Sequence, residues 1–163
     1  GGMRSQDQEA FHMKKRVICL AVIVIALLAC GVLYFQPLSL SDLAGETDQV
    51  KIVSRELGVR NGEAYIDSVS YQDITPEQTR AILALLGEHP YRRTVGTLFS
   101  KNGVISGLGD KTLSLYVYDD GSLINEVSLT SSESGKIVVN EKVYHMKPAE
   151  QKQLMEQILE IIR

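Results

Sequence analysis

The chain has 163 residues, with 17 Lys plus Arg against 20 Asp plus Glu and a net charge of −3. From Gly31 onward, 13 basic residues face 18 acidic ones. That excess of acid argues against nucleic acid as a partner and against a second, charge-driven membrane contact.

The N-terminal region sets the location. Val17 to Phe35 are nineteen consecutive uncharged residues, preceded by Lys14-Lys15-Arg16. A helix of about twenty apolar residues matches the hydrocarbon thickness of a bilayer. Basic residues on its N-terminal flank hold that flank in the cytoplasm, so everything after Phe35 is expected outside. A buried helix of a soluble fold would carry polar residues at helical spacing, and this run carries none.

Two forms of this reading stay open. In one, residues 17–35 are an uncleaved transmembrane anchor, with Tyr34 at the outer interface and Gln36-Pro37 as its stop. In the other, translation starts at Met13, and Val17 to Ala29 form the apolar core of a secretory signal. Leu27-Leu28-Ala29-Cys30 then reads as a bacterial lipobox with Cys30 as the lipidation site. Residues 1–16 are the cytoplasmic tail of the anchor reading. Those before Lys14 are polar and expected to be disordered.

Residues 36–48 read as a short linker, because Pro37, Ser39, Ser41, Gly45 and three acids punctuate it. Leu38, Leu40 and Leu43 suggest that it partly docks on the domain C-terminal to it. Residues 49–163 are long enough for one domain with its own core. Cys19 and Cys30 both lie in the apolar run, so this domain has no disulfide and no thiol nucleophile.

Within the domain, Gln49 to Arg55 predicts a strand, and Asn61-Gly62 a tight hairpin turn that needs positive φ at both positions. Glu63 to Tyr71 predicts the returning strand. Thr75-Pro76-Glu77-Gln78 has the pattern of a capping box with proline at the first helical position. Ile82, Leu85 and Leu86 form the apolar stripe of that helix, and Gly87 is placed to end it. Tyr91 to Val95 predicts a third strand, and Gly96 to Lys111 a loop or irregular hairpin around Asn102-Gly103. Leu113, Leu115 and Val117 alternate with Ser114, Tyr116 and Tyr118, which predicts a half-buried strand. Asp119 to Ser122 is a turn, Leu123 to Leu129 the partner strand, and Ser131 to Gly135 another turn. Ile137 to Val139 and Val143 to Met146 predict a last hairpin around residues 140–142. Pro148 opens a C-terminal helix with Leu154, Met155, Ile158, Leu159 and Ile162 on one side. The expected class is α+β, an antiparallel sheet with two helices packed on it.

Chemical signatures are sparse. The chain has no Ser-x-x-Lys, no Gly-x-Ser-x-Gly and no phosphate-binding glycine loop. His12, His89 and His145 lack metal-ligand spacing, so neither metal nor cofactor is expected and no catalytic residue is assigned. Arg92 and Arg93 could clamp an anion, since each guanidinium presents a planar fork, but they also fit a strand with one solvated and one paired. His89 suits a helix C-terminus, Asp119-Asp120 a turn, and Glu133 a solvated turn. Tyr116, Tyr118 and Tyr144 could line one sheet face as a binding platform, or could be ordinary cross-strand packing.

Lys14-Lys15-Arg16 with its apolar run, Phe35-x-Pro37, Thr75-Pro76-Glu77-Gln78, Gly135-Lys136-Ile137-x-Val139 and Val143-Tyr144 before a final helix resemble small membrane-anchored or lipoprotein-like proteins of unknown function from Gram-positive bacteria. The resemblance implies an extracytoplasmic location and carries over no functional residue.

The expectation is a tethered binding, sensing or accessory module without catalysis of its own, partnered by the membrane and by another envelope protein. The alternatives are a cell-envelope hydrolase using carboxylates and a structural envelope component. A hydrolase would need a concave pocket with close titratable groups, a binding module an exposed apolar or aromatic patch, and a structural component a self-complementary edge strand.

Overall fold

A computed structural model describes residues 3–40, 47, 49–100, 103 and 107–163. The chain divides into two compact units, residues 1–36 and 37–163.

The first unit is one helix, α1 (Met3–Tyr34). Its segment Lys14–Tyr34 is long and apolar enough to cross a membrane, and an export signal would have the same character. The apolar side chains of this segment are exposed all round, with none buried against protein. The helix begins at Met3, so residues 3–13, expected to lack structure, are assigned to it. Residues 3–16 contain no Gly or Pro and many good helix formers, and extending an existing helix avoids the nucleation penalty. A last turn closes from Phe35 N to the Gly31 carbonyl at 3.1 Å, and Pro37 cannot continue it.

The second unit is an α+β fold around an eight-stranded sheet. Its strands are β1 (Pro37–Ser39), β2 (Gln49–Arg60), β3 (Glu63–Tyr71), β4 (Pro90–Arg92), β5 (Lys111–Asp119), β6 (Ser122–Thr130), β7 (Lys136–Val139) and β8 (Lys142–His145). The spatial order is β1-β4-β8-β7-β6-β5-β2-β3, and every pairing is antiparallel. The helices are α2 (Pro76–Glu88), α3 (Val95–Phe99) and α4 (Pro148–Ile161).

Three hairpins run on two-residue turns with positive φ, as such turns require. Asn61 and Gly62 have φ of 57° and 83°, Asp120 and Gly121 46° and 75°, and Asn140 and Glu141 47° and 67°. Lys142 therefore belongs to β8 and not to the last turn. β2 runs five residues beyond its expected end, to Arg60, because β3 pairs with it along its whole length, from Ile52↔Tyr71 to Arg60↔Glu63. Gly58 lies within the extension, facing Tyr65 of β3. A Cβ there would come within 2.5 Å of the Tyr65 ring, which lies across the glycine.

β1 lies inside the segment read as a linker. Leu38 pairs with Tyr91, Ser39 donates to the Gly87 carbonyl at 3.3 Å, and Leu40 is fully buried. Leu43 lies outside the described residues.

α2 starts as its capping box dictates. Thr75 Oγ1 accepts from Gln78 N at 3.2 Å, and Gln78 Oε1 accepts from Thr75 N at 2.9 Å. It ends one residue later than expected. Gly87 stays helical, and His89 is the extended cap because a residue before proline disfavours the helical region. The expected strand at residues 91–95 is only Pro90–Arg92, after which Thr94 caps α3.

One sheet face carries the core. Val50, Ile52, Leu113, Leu115, Val117, Val127, Leu129, Ile137 and Val139 meet Ile82 and Leu86 of α2 and Leu154, Met155 and Ile158 of α4. The two helices are stitched together where Gln78 Nε2 donates to the Ile161 carbonyl at 2.8 Å. Gln151 is completely buried, and its Nε2 donates to the Lys136 carbonyl at 3.0 Å, tying α4 to β7.

Candidate binding surface

The pleat assigns each side chain to the face that carries α2 and α4 or to the opposite face, on which Ser114, Ser128 and Val138 are also buried. Tyr116 and Tyr118 alternate with the core residues Leu115 and Val117, so both lie on that opposite face and are half-buried. Tyr116 is opposite Lys51 of β2 and Glu126 of β6. A β-bulge between Val117 and Tyr118 then brings Tyr118 opposite Leu123. The Lys51 ammonium sits 4.8 Å from the centroid of the Tyr118 ring, within cation–π range.

Beside these tyrosines lies a shallow depression of about 330 Å³ lined by Leu123, Ile124, Asn125, Glu126, Asn140 and Glu141. Asn140 fixes its polar side. Its Nδ2 donates to Asn125 Oδ1 at 2.8 Å, and its Oδ1 accepts from Glu126 N at 2.9 Å. The surface thus combines aromatic area, two exposed aliphatic side chains, two carboxylates and a hydrogen-bonded amide pair, a mixture suited to holding an amphipathic partner.

Tyr144 does not belong to this platform. It pairs with Ile137, a core residue, and its ring packs edge-to-face on Tyr91 with centroids 5.0 Å apart. The face of a strand follows from its register with neighbours, which a two-residue alternation within β8 cannot reveal.

The arginines lie elsewhere again. β4 and β5 are separated by β8, β7 and β6, roughly 19 Å at the usual strand spacing. Arg92 is exposed on β4, opposite Pro37 on one side and His145 on the other. It borders a cleft of about 180 Å³ shared with Pro90, His145, Met146, Lys147 and Glu150, where Lys147 Nζ lies 2.7 Å from Glu150 Oε1. Arg93 follows β4 and is half-buried. The three tyrosines and two arginines thus occupy three places.

Cys30 is exposed on α1, near its C-terminal end, and Cys19 is exposed on the same helix. His89 caps α2, Asp119 ends β5, Asp120 sits in the β5–β6 turn, and Glu133 lies in the loop before β7. Among the described residues, no three His, Cys, Asp or Glu side chains converge as a metal site.

Two surfaces escaped the sequence reading. β3 is an edge strand, paired among the described residues with β2 alone, and exposes Ile66 and Val69, while Val59 of β2 is exposed beside it. The second is α3, whose Val95, Leu98 and Phe99 are all exposed. Thr94 and Thr97 form a capping box there, with Thr94 Oγ1 accepting from Thr97 N at 3.3 Å. A Thr at the third helical position lacks the Glu or Gln signature that makes such a start readable.

No known protein family matches this chain, and no curated protein or solved structure is significantly similar to it.

Proposed function

We propose that the protein is a membrane-tethered binding module of the cell envelope, akin to small anchored proteins of Gram-positive bacteria. α1, or a lipid on Cys30, holds it to the membrane, and residues 37–163 work on the extracytoplasmic side. The β3 edge carries the reading. It is nine residues long, its outer backbone groups face no further strand among the described residues, and apolar side chains flank it. Such an edge is a template for a strand from a partner, with main-chain hydrogen bonds giving affinity and alternate side chains giving specificity. β3 holds Glu63 and Asp67 and no basic residue, so two copies meeting at its centre would oppose like charges. A partner strand bearing Lys or Arg fits better, which favours another envelope protein over self-assembly. The tyrosine platform, two strands away across β2, offers a second contact for the same partner.

The test is cross-linking in intact cells followed by purification of the full chain. Ile66→Lys with Val69→Lys should abolish the cross-linked partner, whereas Arg80→Ala on α2 should leave it. A partner retained by the edge variant would refute strand addition.

A further inference from the structure

α3 is amphipathic in the reverse of the usual sense. Its polar side is bonded to the domain. Thr97 is buried and its Oγ1 donates to the Val143 carbonyl at 2.7 Å, while Ser100 Oγ accepts from Val143 N at 3.0 Å. These two hydroxyls occupy the backbone groups that a neighbouring strand would take on β8. The apolar side chains Val95, Leu98 and Phe99 are 62%, 63% and 80% exposed. At about 100° per residue, Val95 and Phe99 stand roughly 160° and 200° round the helix from Thr97. A helix on a globular surface ordinarily turns its apolar stripe inward. Here a hydrogen-bonded scaffold holds it out.

Chain connectivity identifies what lies near. β1 starts at Pro37, two residues after Phe35, and Pro37 pairs with Arg92. Val95 follows Arg92 by three residues. Covalent reach and strand spacing therefore keep the start of α3 within about 25 Å of the end of the apolar run, whatever the orientation of the two units. A lipid on Cys30 would lengthen that tether by only five residues.

We propose that α3 is a second membrane contact. Val95, Leu98 and Phe99 enter the headgroup–acyl boundary of the bilayer that holds α1, and the exposed Arg92 lies over lipid phosphates. The domain's excess of acid makes the apolar side chains, not charge, the main source of adhesion. This inference rests on the membrane reading of α1.

The chain contains no Trp, so a single introduced Trp reports its own surroundings. Phe99→Trp, Leu27→Trp and Ile66→Trp would each be placed in the full chain, reconstituted in phosphatidylcholine–phosphatidylglycerol vesicles with and without brominated acyl chains. Leu27→Trp should be quenched strongly. Phe99→Trp should emit at shorter wavelength than Ile66→Trp and be quenched at least about twofold more, because an interfacial face lies roughly 5–10 Å into the headgroup boundary. Quenching at Leu27→Trp with none at Phe99→Trp would overturn the α3 contact alone. A blue shift at Phe99→Trp without bromine quenching would assign the face to protein and overturn it too, as would equal quenching at Ile66→Trp. Failure at Leu27→Trp would overturn the membrane reading itself.

Discussion

α2 and α3 begin alike and end up opposite. Each starts at a threonine whose hydroxyl accepts from the third helical amide, and each closes a full capping box. α2 then turns Ile82 and Leu86 into the core, while α3 turns Thr97 inward and leaves Phe99 outside. The cap therefore fixes where a helix starts, not which side it buries. Burial depends on what the neighbouring strands offer. α2 meets the apolar face of the sheet, whereas α3 meets the unpaired backbone of β8 at Val143, which only a hydrogen-bonding side chain can satisfy.

Four substitutions sharpen this contrast, each read by denaturant unfolding of the detergent-solubilised full chain. Ile82→Ala should destabilise most, by about 2–5 kcal/mol, since it leaves a cavity in a fully buried site. Thr97→Val keeps the shape of α3 but strands the Val143 carbonyl and the Thr94 amide, and should cost about 1–3 kcal/mol. A loss as small as that of a surface change would show that α3 is not held by its polar side. Thr75→Ala removes the α2 cap, with an expected loss of about 1 kcal/mol. Phe99→Ser should be smallest, within about 0.5 kcal/mol of wild type, because a side chain 80% exposed contributes little to folding. A large loss there would mean that Phe99 packs against the protein and that the α3 face is not free for lipid.

The residues that announced themselves were those whose local geometry has few solutions. Asn61-Gly62 and Asp120-Gly121 need positive φ, and Thr75-Pro76-x-Gln78 satisfies a helix start within four residues. The apolar run likewise declares its helix. What stayed hidden depended on partners distant in sequence. Pro37–Ser39 is a strand only because β4 lies beside it, more than fifty residues away. Leu57 to Arg60 stay extended because β3 pairs with them. Of the tyrosines, Tyr116 and Tyr118 share the face that alternation with Leu115 and Val117 implies. Tyr144 departs because Ile137 fixes its register. α3 was hidden because its pattern is inverted, and the usual rule would have sent Leu98 and Phe99 inward.

A role in the cell envelope requires α1 to carry residues 37–163 across the membrane. Glu133, exposed in a turn of the cysteine-free residues 37–163, is the place to ask. Glu133→Cys should react with a membrane-impermeant maleimide on intact cells, above the background set by wild type with Cys19 and Cys30 in the apolar run. Reaction only after lysis would put the domain in the cytoplasm and contradict that role.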